Sequence, residues 1–515
     1  MDYTEEQKKT IYFKGRNLIV KSGAGTGKTT ILKGYAKENP NSRFLYLCYN
    51  SDIQKEAKAS FPANVVCRTG HAIARAMVCR PLEHKVADNI RLTDVKEFIK
   101  TNDWGLTKDV VKGLNAFLHS NRNEISLVDI SFLPNFTAAQ KRRNALILSC
   151  IKKIWVAGMD PKSSFPTTHD MYLKKFCMGP PTMHRWFSGI LLDEAQDSNP
   201  VISDWVLKHD QCKHILVGDD HQQLYRWRGA QNFMENYAKK TNCQINLMQQ
   251  SFRFGEKTAL VASKLLEYKS HITGCPPFSV HGTKTIDDKV YVLRPALFNN
   301  QHRAILHRTV IGTLDSAIQN IDKKIYWAGG INSYTLPTLL DVYYLKKDMR
   351  SSIKNKKLLR EHRTFDSYRL MAEGTQDPEM MRIIKLLEQH GNSIPGKIAA
   401  LRRNAVNKES QADLTVSTAH RAKGREWEHV EVSNDFPDLL DEAKDLSEDF
   451  VSDEINLLYV ACTRSMGVLV VPNIVAAIYK KMGGDLKLFD REGGASLRTT
   501  DTVGKMTRRV KLNQG

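Results

Sequence analysis

The feature that most constrains this chain is Ser22-Gly23-Ala24-Gly25-Thr26-Gly27-Lys28-Thr29, which follows the apolar run 17–21 and leads into a helix-compatible run from Thr30. Glycines at this spacing let backbone N–H groups curl around an anion, and such a loop works between a buried strand and a helix N-terminus. A strand that delivers a phosphate loop belongs to an α/β sheet, with ligand groups at the carboxyl ends of its strands. Ser22 stands where the first glycine of the loop is usual, and a small residue is expected to turn there. Residues Ser22 to Thr30 are therefore read as a nucleotide cradle. Lys28 supplies charge to the β and γ phosphate oxygens, and the Thr29 hydroxyl is placed for Mg²⁺. ATP and Mg²⁺ are the expected cofactors.

Short apolar runs at 44–48, 189–192 and 214–217 end in polar or Gly-rich turns, as buried parallel strands do. A second set lies at 290–293, 304–306, 325–327, 414–417 and 468–471, so two α/β halves are expected. The length of 515 residues exceeds what one core organises. Residues 79–165 and 346–410 read as helical insertions, one in each half. The run 189–192 delivers Asp193-Glu194-Ala195-Gln196-Asp197 at the end of a buried strand. With a phosphate loop upstream, Asp193 is the expected metal ligand, and Glu194 the group that positions and deprotonates the attacking water.

The chain carries 76 Lys plus Arg against 56 Asp plus Glu, a net charge of +20, which favours a polyanionic partner. Residues 346–363 hold eight basic and two acidic residues, either a DNA-facing helix or a solvated basic face. Residues 435–454 invert the balance with nine acidic residues and one lysine, and read as a solvent loop away from DNA. Nine cysteines show no C-x-x-C pair or zinc spacing, so reduced thiols are expected. The polar N-terminal segment and the lack of an apolar stretch of about 18 residues predict a soluble, intracellular protein without a membrane partner.

Val217 to Ala230 (VGDDHQQLYRWRGA) closely resembles the third helicase motif of the UvrD/Rep family. The resemblance extends, in family order, to Gln250–Gly255 (QSFRFG), Thr415–Trp427 (TVSTAHRAKGREW) and Asn456–Arg464 (NLLYVACTR). The phrasing is nearest to the F-box DNA helicase branch, through FPANV at 61–65, 418–427 and 251–255. With the phosphate loop beginning at Ser22, no F-box module is expected upstream and no ubiquitin-ligase role is carried over.

The resemblance implies two RecA-like P-loop NTPase domains with parallel sheets, each interrupted by a mostly helical accessory insertion. The expected divisions are 1–78 with 166–247, insertion 79–165, then 248–345 with 411–487, insertion 346–410, and a basic tail 488–515. It implies that Gln7 reads the adenine edge, Phe252 stacks on its face and Glu426 contacts the ribose. Gln222 senses the γ-phosphate, while Arg253 and Arg464 neutralise transition-state charge. For the DNA track it implies Tyr49, Asn50, Thr69, His71, Tyr225, Trp227 and His420. Trp227 reads as a base-stacking residue or as core, and His71 and His420 as DNA contacts or as core hydrogen-bonding groups. At Gly70 the family has an aromatic. The implied activity is ATP-dependent 3′–5′ translocation on single-stranded DNA with duplex unwinding; the alternative is a translocase that strips bound proteins but unwinds little. Single strands and single-strand/duplex junctions are the expected substrates, and single-strand-binding, recombinase or replication proteins the candidate partners.

Overall fold

Alternate residues of the first strands feed opposite hydrophobic cores, which fixes a sheet covered on both faces. Ile19, Leu45, Leu47, Ile190, Leu192 and Leu216 pack into one core. Leu18, Val20, Phe44, Tyr46, Leu191 and Ile215 pack into the other. Successive side chains of a strand point to opposite faces, so a strand with helices on both sides must be apolar throughout. The computed structural model describes residues 2–48, 51–224, 233–299, 301–334, 336–375, 378–441 and 446–490.

The chain divides into two compact units, one of residues 1–22 and 27–248, the other of 23–26 and 249–515. In the first, β1 (Asn17–Ser22), β2 (Phe44–Cys48), β3 (Val65–Thr69), β6 (Gly189–Leu192), β7 (Lys213–Gly218) and β8 (Gln244–Met248) form a sheet in the order β3-β2-β6-β7-β1-β8. All its ladders are parallel. β7 therefore lies between β1 and β6, and the loops that leave these three strands share one edge. β4 (Val86–Ala87) and β5 (Thr167–Thr168) pair apart from this sheet. Between them the chain is largely helical, dominated by Trp104–Leu118 and Ala138–Met159.

In the second unit, β9 (Lys289–Tyr291), β10 (Arg303–His307), β11 (Ile325–Trp327), β12 (Ala405–Val406), β13 (Leu414–Thr418), β14 (Trp427–Val432) and β15 (Ser465–Val470) run in the order β12-β11-β13-β10-β14-β15-β9. These ladders are parallel too. The helices Phe365–Thr375, Pro378–His390 and Ile394–Arg403 lie between β11 and β12 and join the core that holds Trp327, Leu339 and Val416.

Several expectations need correction. Ser22 does not turn: it ends β1, buried, with its hydroxyl donating to the Gly218 carbonyl at 2.9 Å, and so ties β1 to β7. The helix after the loop begins at Lys28 rather than Thr30. The basic run 346–363 is not one helix. Helix Leu336–Lys346 stops at Lys346, the turn after it holds Asp348 at φ 53°, and the next α-helix is the short Lys356–Glu361. The acidic run 435–454 is not simply a solvent loop. Helix Glu448–Cys462 begins within it. Asp435 accepts hydrogen bonds from the Arg308 and Thr309 amides at 2.8 and 3.0 Å, and buried Glu454 pairs with Arg308. Charge counting missed this, because these carboxylates serve internal partners.

His214 on β7 lies between the Tyr237 hydroxyl at 2.6 Å and the His209 carbonyl at 3.0 Å, and burial lowers its pKa to about 4. Burial lowers His307 on β10 likewise to about 4. Both are held neutral in the fold, whereas the unfolded chain takes up the protons near pH 6.5. Between those values the unfolded state binds more protons, so stability rises with pH there and is lost as pH falls toward 4. Thermal melting from pH 7 to 5 is expected to show a falling midpoint already above the carboxylate range, where a flat profile would contradict the assignment.

Candidate nucleotide site

Three strand ends of the first unit supply this site. Gly27 adopts φ 85°, a left-handed conformation that glycine takes at little cost, and caps helix Lys28–Lys37, so Lys28 and Thr29 open its first turn and Thr30 follows. The Thr29 hydroxyl donates to Asp193 Oδ2 at 3.0 Å, joining the turn after β1 to the end of β6. Tyr46, buried in β2, donates to the same oxygen at 2.8 Å. Burial raises the Asp193 pKa, with the neighbouring Glu194 adding to the effect. A cavity of about 120 Å³ opens beside Thr29, Lys33, Tyr46, Asp193 and Glu194. Hard oxygen donors, a carboxylate that burial leaves in need of positive charge, and room for ion and water all fit Mg²⁺.

Glu194 has φ 50°, a strained conformation for a residue with a Cβ. Its carboxylate is held from the side: Gln196 Nε2 donates to Glu194 Oε2 at 2.6 Å. The other end of the same amide, Gln196 Oε1, accepts from the Asp219 N–H at 2.9 Å. Asp219 Oδ2 in turn accepts from Gln222 Nε2 at 2.6 Å, and Gln223 Nε2 donates to the Gln196 carbonyl at 3.1 Å. A continuous hydrogen-bonded path thus runs from Glu194 through fully buried Gln196 to Asp219 and Gln222. Burial raises the Asp219 pKa, with Lys28 opposing.

Gln7 is buried in helix Glu5–Ile11, and its amide forms a capping box with Thr4. A Cβ on Gly27 would stand 3.1 Å from Gln7 Nε2, so this amide closely approaches the base of the loop.

In the second unit the segment Gly23–Thr26 has its own partners. The Ala24 N–H donates to buried Tyr459 Oη at 3.0 Å, and the Phe252 N–H donates to the Gly25 carbonyl at 2.8 Å. The Phe252 ring is half exposed. Arg253 Nε donates to Glu426 Oε2 at 2.8 Å and Nη1 to the Thr463 carbonyl at 3.2 Å. Arg464 is buried and donates to the Val460 carbonyl at 3.0 Å and the Arg425 carbonyl at 3.3 Å. Glu426, Phe252, Arg253 and Arg464 therefore gather in one neighbourhood with Gly25, through Thr463 and the Arg253–Glu426 pair.

Of the residues read as a DNA track, Tyr49, Asn50, Tyr225 and Trp227 lie outside the described residues. Thr69 caps helix Gly70–Ala74, its hydroxyl accepting from the Ala72 N–H at 3.1 Å. His71 Nε2 lies 3.1 Å from Asp170 Oδ1. His420 stands in the short helix Ala419–Ala422, half buried. A Cβ on Gly70 would lie 2.6 Å from Ile202 Cδ1, so a side chain there would require the end of Ile202 to move.

Three residues, Tyr46 and Gln196 in the first unit and Tyr459 in the second, were not singled out by sequence reading. A tyrosine in a fully buried strand must find a partner for its hydroxyl, which was the available signal for Tyr46. Gln196 sits within the carboxylate motif, and Tyr459 within NLLYVACTR, but neither string says which side chain turns inward.

Known proteins that resemble this chain are helicases. The family model described as UvrD/REP helicase N-terminal domain matches residues 172–242. The F-box DNA helicase 1 of Gallus gallus is 28% identical over 509 residues, covering 91% of this chain and 49% of that protein. The F-box DNA helicase protein 1 of Schizosaccharomyces pombe is 26% identical, covering 92% of this chain and 58% of that protein. The DNA helicase II of Escherichia coli is 36% identical over 87 residues, covering 16% of this chain and 12% of its own. The chain spans about half the length of the F-box relatives it matches. It is similar to UvrD/Rep-type helicases, and among them to F-box DNA helicases along most of its length. Among the described residues no helix is long and apolar enough to cross a membrane.

Gly218 makes room for the central amide of this network: a Cβ there would meet Gln196 Oε1 at 2.4 Å and Met234 Cε at 2.9 Å. Gly218→Ala is expected to destabilise the chain by about 1–3 kcal/mol through overpacking. In urea unfolding its cost should be smaller when Gln196→Ala is already present, and strict additivity would contradict the contact.

Proposed function

We propose that this UvrD/Rep-like chain is an ATP-dependent DNA helicase that moves 3′–5′ on single-stranded DNA and opens duplex ahead of it. The observation that carries the reading is the unbroken path from Thr29 and Asp193 through Glu194 and Gln196 to Asp219 and Gln222. It connects the groups needed for hydrolysis to the segment that leads into Tyr225 and Trp227.

Gly23 to Gly27 and Lys28 would cradle the triphosphate, with Gln7, Phe252 and Glu426 holding the base and ribose. Thr29 and Asp193 would hold Mg²⁺, which when bound neutralises charge on the phosphate oxygens. Glu194 aligns a water with the γ-phosphate and accepts its proton. Gln196 fixes the carboxylate that does this. Gln222 responds to the γ-phosphate, and Arg253 and Arg464 supply permanent positive charge to the transition state. Thr69, His71 and His420 would touch the strand, and Trp227 would stack on its bases. The domain division follows from the same reading: 1–78 with 166–247 and 248–345 with 411–487 as motor halves, 79–165 and 346–410 as insertions.

Two measurements test this. On tailed duplexes, strand separation is expected with a 3′ tail, not with a 5′ tail alone, and is expected to vanish in Lys28→Ala and Glu194→Gln. Separation that survives both substitutions would refute it, and hydrolysis stimulated by single strands without separation would make the chain a translocase instead. For turnover, Glu194→Gln should lower kcat by roughly 10²–10⁴-fold. Gln196→Ala, which leaves the carboxylate in place but unheld, should lower kcat by about ten- to a hundredfold with little change in the KM for ATP. An unchanged kcat in Gln196→Ala would remove Gln196 from the mechanism.

A further inference from the structure

The helical insertion of the first unit carries a cavity of about 440 Å³ that none of the roles above uses. Its lining includes Lys96, Glu97, Lys100, Thr101, Asn102 and Trp104. Trp104 opens helix Trp104–Leu118 and is 47% exposed, an unusual position for the largest aromatic side chain. The Lys96 ammonium lies 4.6 Å from the centre of its ring.

The turn beside it is built in an uncommon way. Helix Leu92–Phe98 ends with Thr101 N–H donating to the Lys96 carbonyl at 3.1 Å and Lys100 N–H to the Glu97 carbonyl at 3.2 Å. This is the helix ending that normally places glycine in the left-handed position. Lys100 occupies it instead, at φ 53°. A lysine near a helix C-terminus offsets the helix dipole, yet that benefit does not require the strained position and does not account for the exposed indole.

The surrounding charge adds to the pattern. Lys108 and Lys112 follow Trp104 at intervals of four on the same helix and so share its face. The Lys112 ammonium lies 3.8 Å from the centre of the Phe132 ring. The nearest carboxylates of that helix are occupied, with Arg143 pairing with Asp103 at 3.2 Å and Asp109 at 3.1 Å. Of the two rings Trp104 is exposed and Phe132 is partly buried against the core, and lysines around one exposed aromatic ring can hold a single strand without regard to sequence, cations for phosphates and the ring for a base.

We propose that this cavity and the adjoining helix face bind single-stranded DNA, one base stacking on Trp104 while Lys96, Lys100 and Lys108 hold the flanking phosphates. The inference takes its ligand from the DNA reading above, but none of its residues belongs to the nucleotide site or to the strand-contacting set named there. A duplex, whose bases are already stacked, would meet the lysines and leave the indole unused.

The test is binding of fluorescein-labelled oligo-deoxythymidine to the full chain by anisotropy at several salt concentrations. Trp104→Ala is expected to weaken binding roughly tenfold and Trp104→Phe to restore most of it. Lys96→Ala with Lys100→Ala should weaken binding and make the salt dependence shallower by about 1.4 in log–log slope. DNA-independent ATP hydrolysis should be unchanged in all of them, which also reports that they fold. Wild-type affinity in every variant would overturn the site, as would loss in the lysine pair with none in Trp104→Ala. A native chain that binds no single strand would fail the helicase reading together with this one; native binding and unwinding, with variants that match it, would fail this site alone.

Discussion

One side-chain amide has to satisfy two groups at once. Gln196 donates to Glu194 and accepts from the backbone of Asp219, and it can do both only because β6 and β7 are adjacent parallel strands whose loops leave the same edge. A side-chain amide carries its donor and its acceptor on two separate atoms of one rigid plane, whereas an ionised carboxylate of the same size could only accept and could not hold Glu194. Gly218 at the end of β7 leaves space for it. The strained backbone of Glu194 is then offset by the bonds around it, which hold the carboxylate at a set position.

The same economy of contacts organises Asp193. Thr29 and Tyr46 both donate to one of its oxygens, while the other accepts from the Glu194 N–H at 2.9 Å. Burial makes a lone carboxylate costly here, and two hydroxyls offset part of that cost while leaving the group in need of a cation. The arrangement suits a site that takes up and releases a charged ligand, since the two hydroxyls hold the carboxylate in place without the ion and a cation would relieve the remaining cost of its burial.

Much of this was legible in the sequence because the determining signals are local. The phosphate loop, the apolar run ending in Asp193-Glu194 and the switch from strand to helix after Gly27 are each complete within a few consecutive residues. The strands at 44–48, 189–192 and 325–327 were marked by uninterrupted apolar residues, which sheets covered on both faces require. What stayed hidden depended on partners distant in the chain. β8 at the sheet edge exposes Ile245 and Leu247 and buries Asn246, so its alternation of apolar and polar residues points to the wrong face. Asp435 and Glu454 look like solvent charges until Arg308 and Thr309 are placed beside them. Gln196, Tyr46 and Tyr459 were visible as letters in motifs, but which of them turn inward is decided by neighbouring strands rather than by spacing.

The central proposal is that hydrolysis at Asp193 and Glu194 is coupled through Gln196 and Asp219 to an occupied DNA strand. Steady-state ATP hydrolysis by the full chain, with and without single-stranded DNA, addresses it most directly. The account predicts a rate that rises by an order of magnitude or more when the strand is present. It also predicts that Gln196→Ala loses more of the stimulated rate than of the basal one, because coupling as well as alignment is removed. Equal rates with and without DNA, in a chain that hydrolyses ATP, would contradict it.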